Sequence, residues 1–233
     1  MGVFKFKQFE VDQTGCAMKI NTDVVLIAAL ANHSAPKKIL DIGTGTGVIA
    51  LMLAQRFPNA LVDAVEIDAQ AAETAGKNFK NSIFIDRLSV NHIAIEHYNT
   101  SQKFDLIVSN PPFFVNDLKS EELRKGIARH ADEHFFDALI AKVVTILSED
   151  GSFWFVLPVK QAELLVEEAK SFNLVLNKLI HLHSNERKPE FRRIVCLSKT
   201  NEKPIVEHLY LYEREKVYTQ TYKALLKDFF LGY

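Results

Sequence analysis

The sequence predicts an α/β protein built on a doubly wound, seven-stranded and mostly parallel sheet with helices on both faces. Short apolar segments such as 61–65 and 104–109 alternate with segments of helical periodicity such as 160–172, an order typical of parallel sheets. The apolar segments 174–182 and 191–198 are joined by a short polar stretch, which predicts a terminal antiparallel hairpin.

Length and composition indicate a single domain. The chain has 233 residues, of which 48% are hydrophobic, and we divide it into an amino-terminal cap and helix (1–33), a core sheet (34–200) and a carboxy-terminal extension (201–233). Its formal net charge of -1 provides no global field for nucleic acid, so an RNA partner would need a local basic patch. Two cysteines far apart and no apolar run of membrane-spanning length predict a soluble, cytoplasmic protein.

The amino-terminal segment alternates in polarity. Phe4 and Phe6 fall on one side and Lys5 and Lys7 on the other, which predicts a half-buried strand or hairpin that caps the domain. Interleaved phenyl rings and ammonium groups also suit stacking on a nucleic acid, and the lysines can bind phosphate in either case. A helix is predicted to follow from about residue 21.

A glycine-rich turn joins the next strand to a helix. Asp41 ends the strand, and Gly43, Gly45 and Gly47 follow at alternate positions. Glycine lets the backbone turn tightly and lets a ligand approach it closely. Val48 stands where a dinucleotide-binding motif needs its third glycine, and no Lys-Ser or Lys-Thr pair follows as in a P-loop. The pattern favours a nucleoside without phosphates.

An acid follows the neighbouring strand, 61–65. A carboxylate at this place, Glu66, can accept hydrogen bonds from the two hydroxyls of a ribose. Ile67 is expected to lie against an adenine, and Asp68 is expected to cap the next helix. Together with the acid of the glycine-rich turn, these residues indicate a nucleoside ligand with a cationic centre.

The strand 104–109 ends at Asn110, because Pro111 and Pro112 lack the N–H groups that would continue the ladder. Backbone carbonyls at the turn are therefore available to a ligand. The Asn110 amide and the Phe113 ring would lie at the carboxyl end of a strand, where open α/β sheets bind ligands. A surface turn with one buried phenylalanine is the alternative interpretation.

Two further sets of side chains have competing interpretations. His130 and His134 stand four residues apart, a spacing known from metal sites, but no third ligand is evident and we predict no metal. The turn 187–193 carries the densest group of cations in the chain, which suits either phosphate binding or a hydrated turn. The polar stretch 115–129 suits either a substrate-binding loop or a solvated excursion.

Three motifs resemble a known group of enzymes. The glycine-rich turn 41–47, Glu66 and the motif 110–113, in that order, resemble class I S-adenosylmethionine-dependent methyltransferases that methylate amino groups. Segments 6–13 and 128–132, with Met18-Lys19 and Thr22-Asp23, are similar more narrowly to the bacterial tRNA1(Val) (adenine-37-N6)-methyltransferase family. The likeness extends from about residue 4 to about residue 199.

The resemblance implies a Rossmann-like class I methyltransferase fold with six parallel strands and one reversed strand. It implies transfer of a methyl group from S-adenosylmethionine to N6 of adenine 37, next to the anticodon of tRNA1(Val), with S-adenosylhomocysteine as the other product. The expected partner is the tRNA anticodon loop, with no membrane and no metal, and the expected state is a monomer.

The resemblance also implies roles for single residues. The catalytic set is Asn110, Pro111, Pro112 and Phe113. The cofactor-binding set is Lys19, Thr22, Asp23, Asp41, Gly43, Thr44, Gly45, Gly47, Glu66, Ile67 and Asn110. The candidate RNA-binding set is Lys5, Lys7, Arg129, Arg187, Lys188, Arg192 and Arg193. One departure is Ala94, which stands where such enzymes usually carry an acid that contacts the adenine of the cofactor.

Other acceptors and another class of function fit the same motifs. A glutamine amide in a protein release factor is also a planar amino group, although this chain shows no separate amino-terminal helical domain. Ribosomal guanine N2 and DNA adenine are further acceptors. A cofactor-binding RNA chaperone without activity is the third alternative, and the intact Asn110 and Glu66 argue against it.

Overall fold

A computed structural model describes residues 2–14, 19–112, 135–200 and 203–232 of the chain. The strands are β1 (Val3–Lys5), β2 (Glu10–Asp12), β3 (Lys38–Ile42), β4 (Leu61–Glu66), β5 (Leu88–His92), β6 (Phe104–Ser109), β7 (Leu147–Leu157), β8 (Val175–His183), β9 (Glu190–Ser198), β10 (Ile205–Tyr210), β11 (Tyr212–Arg214) and β12 (Val217–Tyr218). The α-helices are α1 (Thr22–Leu30), α2 (Val48–Arg56), α3 (Ala69–Lys80), α4 (135–146), α5 (Val159–Ser171) and α6 (Gln220–Leu226).

The central sheet has the strand order β10-β8-β9-β7-β6-β3-β4-β5. All of its paired strands run parallel except at β9, which is antiparallel to both β7 and β8. The predicted α/β fold, its mostly parallel sheet and its antiparallel hairpin are therefore confirmed. Because β9 lies between β7 and β8, the hairpin forms part of the continuous sheet.

The predicted number of seven strands is wrong by one. The eighth strand of the sheet is β10, which lies in the carboxy-terminal extension and pairs in parallel with β8. Ile205 and Val206 are exposed on this edge strand, so its sequence lacks the alternation of apolar and polar residues that marks a half-buried strand. The pairing of β10 with β8, and not the local sequence pattern, shows that this segment belongs to the central sheet.

Helices cover both faces of the sheet, as predicted. Buried side chains of α1, α2, α3 and α6 form one hydrophobic core, and those of α4 and α5 form the other. Adjacent residues of β3 show the division, because Ile39 belongs to the first core and Leu40 to the second. In the described ranges of the chain, no helix is both long and apolar enough to cross a membrane.

The amino-terminal segment forms the hairpin β1–β2, and its phenyl rings pack inward. Phe6 and Phe9 are 4% and 5% exposed, and their rings stack with centroids 4.4 Å apart. The packing interpretation of this segment is therefore confirmed for these two rings. The lysines lie outside: Lys5 pairs with Glu10, and Lys7 Nζ donates to the carbonyl of Lys227.

The centre of the sheet brings three of the predicted motifs to one edge. Strand β3 lies between β4 and β6 and runs parallel to both, so the carboxyl ends of the three strands are adjacent. The glycine-rich turn follows β3, Glu66 ends β4, and Asn110 follows β6. This edge is where open α/β sheets bind ligands.

Candidate active site

The glycine-rich turn holds three residues in the left-handed region. Gly43, Gly45 and Gly47 have φ values of 72°, 57° and 86°. A Cβ atom at Gly43 or Gly45 would meet nothing within 4 Å, whereas one at Gly47 would lie 2.5 Å from Cε1 of Phe79. The first two glycines therefore leave open space at the site, and the third lets α3 pack against the start of α2.

We expect Gly47→Ala to lower the free energy of unfolding more than Gly43→Ala does. Both substitutions place alanine at positive φ, which costs roughly 1 to 2 kcal/mol. Only Gly47→Ala also forces Phe79 to move, and overpacking of this kind costs roughly 1 to 3 kcal/mol more. Urea denaturation of both variants measures the difference. Equal losses would show that α3 yields to the added methyl group.

Asp41 lies beneath the turn and is fully buried. Its Oδ2 accepts hydrogen bonds from the Thr44 hydroxyl and from the backbone N–H of Ala50, the latter at 3.2 Å. Its Oδ1 is buried and has no hydrogen-bond partner in the part of the chain that the structure describes. Burial raises the pKa of Asp41 to about 7, although the hydrogen bond from Thr44 acts in the opposite direction.

The raised pKa of Asp41 predicts a pH dependence of stability. Between its ordinary pKa of 3.8 and about 7, the folded chain binds more protons at this group than the unfolded chain does. The contribution of Asp41 to stability is therefore lost as pH rises through this window. We expect the unfolding free energy of the wild type, relative to Asp41→Asn, to fall from pH 4 to pH 7 and then level off. A difference that does not vary with pH in denaturant titrations would contradict the burial argument.

Glu66 connects the end of β4 to the glycine-rich turn. Its side chain is mostly buried; Oε2 accepts from the backbone N–H of Gly45 at 2.8 Å, and Oε1 accepts from that of Asp68 at 2.9 Å. An ionised carboxylate has about four acceptor positions, so two remain for a ligand. Asp68 caps α3 as predicted, accepting from the N–H of Ala71 at 2.8 Å. The Ile67 side chain is 68% exposed, and its carbonyl contacts His92 Nε2 at 3.0 Å.

Asn110 is held at the carboxyl end of β6. The preceding residue fixes this end to β3, because the Ser109 hydroxyl donates to the carbonyl of Ile42 at 2.9 Å. Asn110 is 8% exposed, and its Oδ1 is buried with no hydrogen-bond partner among the described residues. Pro111 is buried and Pro112 is exposed. Phe113, the aromatic residue of the predicted motif, lies outside the described residues.

A small cavity of about 40 Å³ lies between the glycine-rich turn, Asn110 and the residues at the start of α1. Five of the predicted site residues line it: Lys19, Gly43, Thr44, Gly45 and Asn110. The lining also includes residues that the sequence analysis did not assign to the ligand site: Ile20, Asn21, Val24, Thr46, Val48 and Ile49. The cavity holds only part of a nucleoside, so a ligand would also occupy the open space at the two glycines whose Cβ positions meet nothing.

One residue of the predicted cofactor-binding set, Asp23, pairs with one residue of the predicted RNA-binding set, Arg192. Asp23 is 7% exposed, and its Oδ2 accepts from Nε of Arg192 at 2.8 Å. The next residue of β9, Arg193, pairs with Glu190 and Glu163 at 2.8 Å. Successive residues of a strand point to opposite faces, so the predicted cations of 187–193 do not form one cluster. Arg187 and Lys188 lie in the exposed turn between β8 and β9, and Arg129 lies outside the described residues.

Asn78 was missed by the sequence analysis. It is 3% exposed on α3, and its amide donates to the carbonyls of Asp12 and Thr46 at 3.0 and 2.9 Å. Its Oδ1 accepts from the N–H of Asp12 at 2.9 Å. Asn78 therefore fastens the amino-terminal hairpin to the glycine-rich turn. The available signal was a polar residue next to Phe79 on the apolar side of an amphipathic helix.

The described side chains fit S-adenosylmethionine. Asp41 Oδ1 and Asn110 Oδ1, two buried acceptors without partners among the described residues, suit a cation and an amine, and Glu66 suits a ribose. In the described ranges, no group of three or more His, Cys, Asp or Glu side chains is arranged to hold a metal ion. His130 and His134 lie outside those ranges.

Comparison with known proteins places the chain in a family. Residues 19–178 match the model of the methyltransferase small domain. A protein of Pedobacter heparinus named tRNA1(Val) (adenine(37)-N6)-methyltransferase is 60% identical over 230 residues, which cover 99% of this chain and 98% of that protein. A protein of the same name from Actinobacillus pleuropneumoniae is 39% identical and covers 98% of this chain and 97% of its own.

Solved structures support the fold. The crystal structure of a predicted O-methyltransferase from Agrobacterium tumefaciens has a TM-score of 0.69 at 16% identity, covering 89% of this chain and 96% of its own. The ribosomal protein L11 methylase of Lactobacillus delbrueckii has a TM-score of 0.59 at 16% identity, covering 82% and 84%. Family and fold together imply dependence on S-adenosylmethionine. The chain belongs to the methyltransferase small domain family and to the group of tRNA1(Val) (adenine(37)-N6)-methyltransferases within which its 60% identical relative is named.

Proposed function

We propose that this chain transfers a methyl group from S-adenosylmethionine to N6 of adenine 37 in tRNA1(Val), with S-adenosylhomocysteine as the other product. The observation that carries the proposal is the buried Asn110 Oδ1, which has no partner in the described ranges and stands beside the glycine-rich turn. The names of relatives that match nearly the whole chain support the same acceptor. They do not favour a glutamine amide or a guanine.

The reaction requires the protein to orient the lone pair of the adenine N6 nitrogen toward the methyl group. The exocyclic nitrogen of adenine is a weak nucleophile, because its lone pair is delocalised into the ring. Asn110 Oδ1 and the carbonyl of Pro111 accept its two N–H groups, which makes the nitrogen more tetrahedral and richer in electron density. Phe113 stacks on the extruded base and holds it in position. Once methylated, the nitrogen carries a positive charge and releases one N–H proton to solvent, so no strong base is needed.

The cofactor is proposed to lie across the glycine-rich turn. When bound, S-adenosylmethionine supplies an activated methyl group on a sulfonium centre. Glu66 accepts hydrogen bonds from the ribose, and the open backbone at Gly43 and Gly45 allows close approach. Asp41 places a buried carboxyl group near the positive charge. The assignments of Lys19, Thr22, Asp23, Gly47 and Ile67 rest on the resemblance and remain predictions.

The proposal extends to the setting of the enzyme. Residues 1–233 are proposed to form one domain that acts as a monomer in the cytoplasm, needs no metal and engages the tRNA anticodon loop. Lys5 and Lys7 lie on the outside of the amino-terminal hairpin, where phosphates have access to them. Ammonium groups bind phosphates rather than a particular base, so these two lysines are proposed to contact the RNA backbone.

Nucleoside mass spectrometry tests the function. Transfer RNA, ribosomal RNA, DNA and protein are separated from cells with and without the gene, and from cells complemented with the wild type or with Asn110→Ala. We expect N6-methyladenosine to disappear from position 37 of tRNA1(Val) and to return only with the wild type. Loss of a methylated glutamine or guanine instead would assign a different acceptor. Cofactor binding without turnover on any fraction would favour a binding protein.

A further inference from the structure

A row of four aromatic side chains stands on one face of the sheet where β8 and β10 pair. His181 and His183 belong to β8, and His208 and Tyr210 belong to β10. In the parallel register, His208 lies opposite His181 and Tyr210 lies opposite His183. Residues two apart in a strand share a face, so the four side chains project together. We call them the aromatic row.

Three rings of the aromatic row are nearly parallel, and the fourth, His183, is inclined by 33° to both His208 and Tyr210. The centroids of His181 and His208 are 4.7 Å apart with an interplanar angle of 16°, and those of His183 and Tyr210 are 5.0 Å apart at 33°. His208 and Tyr210 are inclined by 12°. His208 is exposed, whereas the other three are half-buried. A flat base can therefore approach the row from solvent at His208.

Hydrogen bonds fix the rings and leave one acceptor. His183 Nδ1 lies 3.1 Å from the carbonyl of Lys188, which only accepts, so Nδ1 carries the proton. In neutral His183, Nε2 then accepts from Nδ1 of His208 at 3.0 Å. When His208 is neutral as well, its Nε2 is an acceptor, and this nitrogen has no partner within the described ranges. A base amino group or a ribose 2′-hydroxyl can donate to it.

A cavity of about 800 Å³ lies beside the aromatic row. His208 and Tyr210 line it on one side, and Arg187 and Arg214 contribute exposed guanidinium groups that form no ion pair with any described residue. The volume is in the range of small-ligand sites. The lining also contains three acids: Glu186, Glu213 and Glu215. The mixed charge suits one nucleotide better than a long run of phosphates.

The aromatic row lies at the carboxyl ends of its strands, on the same side of the sheet as the acceptor site. His183 and Tyr210 are the last residues of β8 and β10, and both strands run parallel to β6, which Asn110 follows. Four strand spacings of about 4.8 Å separate β10 from β6, so the row lies roughly 19 Å from the acceptor site. One single-stranded RNA loop can reach both places.

We propose that the aromatic row and its cavity bind an unpaired nucleotide of the RNA substrate, away from the base that is methylated. The base stacks on His208 and Tyr210, Nε2 of His208 accepts a hydrogen bond from the base or the 2′-hydroxyl, and Arg187 or Arg214 contacts the phosphate. The inference rests on the proposed function, since it takes the methyl acceptor to be an RNA. Binding of this nucleotide holds the RNA loop in place while the base that is methylated is extruded.

Steady-state kinetics with His208→Ala tests the proposal. We expect the KM for tRNA to rise roughly tenfold, from the loss of one stacking contact, with kcat and the cofactor affinity unchanged. His208→Phe retains a ring but lacks the acceptor nitrogen, so its KM for tRNA should lie between those of the wild type and His208→Ala. His33→Ala is the matched control. His33 also makes hydrogen bonds, to Asp150 and Ala35, but it lies near the amino ends of β3 and β7, away from the aromatic row. It should leave the KM unchanged.

Fluorescence anisotropy with a labelled anticodon-arm RNA and no cofactor separates this site from the methylation. If the wild type binds the RNA and His208→Ala weakens binding, the aromatic row is an RNA site even where no methylation is found. Equal dissociation constants for the two proteins, or a wild type that binds no RNA, would overturn the proposal. A wild-type dimer that His208→Ala dissociates without changing RNA affinity would assign this surface to a second copy of the chain and would also overturn it.

Discussion

Asn110→Ala is expected to abolish most turnover while leaving the affinity for S-adenosylmethionine nearly unchanged. The substitution removes a buried oxygen that has no partner among the described residues and that the proposal assigns to the incoming amine. Loss of one preorganised hydrogen-bonding group at a reacting centre costs roughly 10²- to 10³-fold in kcat. Single-turnover methylation of tRNA measures the rate, and calorimetry measures cofactor binding.

Two variants sharpen the Asn110 experiment. Asn110→Asp retains acceptor oxygens and should keep more turnover than Asn110→Ala. Asn177→Ala is the matched control, because Asn177 also has a buried Oδ1 without a partner among the described residues. It lies near the amino end of β8, whereas Asn110 follows the carboxyl end of β6. It should keep full turnover. Weakened cofactor binding with an unchanged rate in Asn110→Ala would refute the assigned role.

The fold could be predicted because its main strands are apolar and their order alternates with helices. Both faces of β6 and most of β3 are buried, so these segments appear in the sequence as continuous apolar runs. Strand β10 was not placed in the sheet in this way, although the tail from residue 207 is strand-like in sequence. It lies at the edge of the sheet, where Ile205 and Val206 stay exposed, and its partner β8 precedes it by more than twenty residues. Long-range pairing of an edge strand leaves little local signal.

The positions of the candidate site residues could be predicted where these residues lie at or near a strand end. Asp41 is one residue from the end of β3, Glu66 ends β4 and Asn110 follows β6, and parallel strands bring such residues together whatever the details of packing. Asn78 acts through a helix that packs against a distant turn, which local sequence does not encode. The separation of Arg192 from Arg193, by contrast, follows from the period of a strand, and sequence reasoning could have anticipated it.

Glu66→Ala is expected to weaken cofactor binding roughly 100-fold and to change kcat at saturating cofactor far less. Lost hydrogen bonds to a charged group cost roughly 1.5 to 3 kcal/mol, and the substitution also releases the N–H groups of Gly45 and Asp68 that the carboxylate holds. Asp63→Ala is the matched control on the same strand, since Asp63 binds the Ser89 hydroxyl away from the strand end. Calorimetry with S-adenosylhomocysteine compares the two. A loss of affinity confined to Glu66→Ala would support the contact between Glu66 and the ribose. Unchanged affinity in Glu66→Ala would contradict this contact and the proposed orientation of the cofactor.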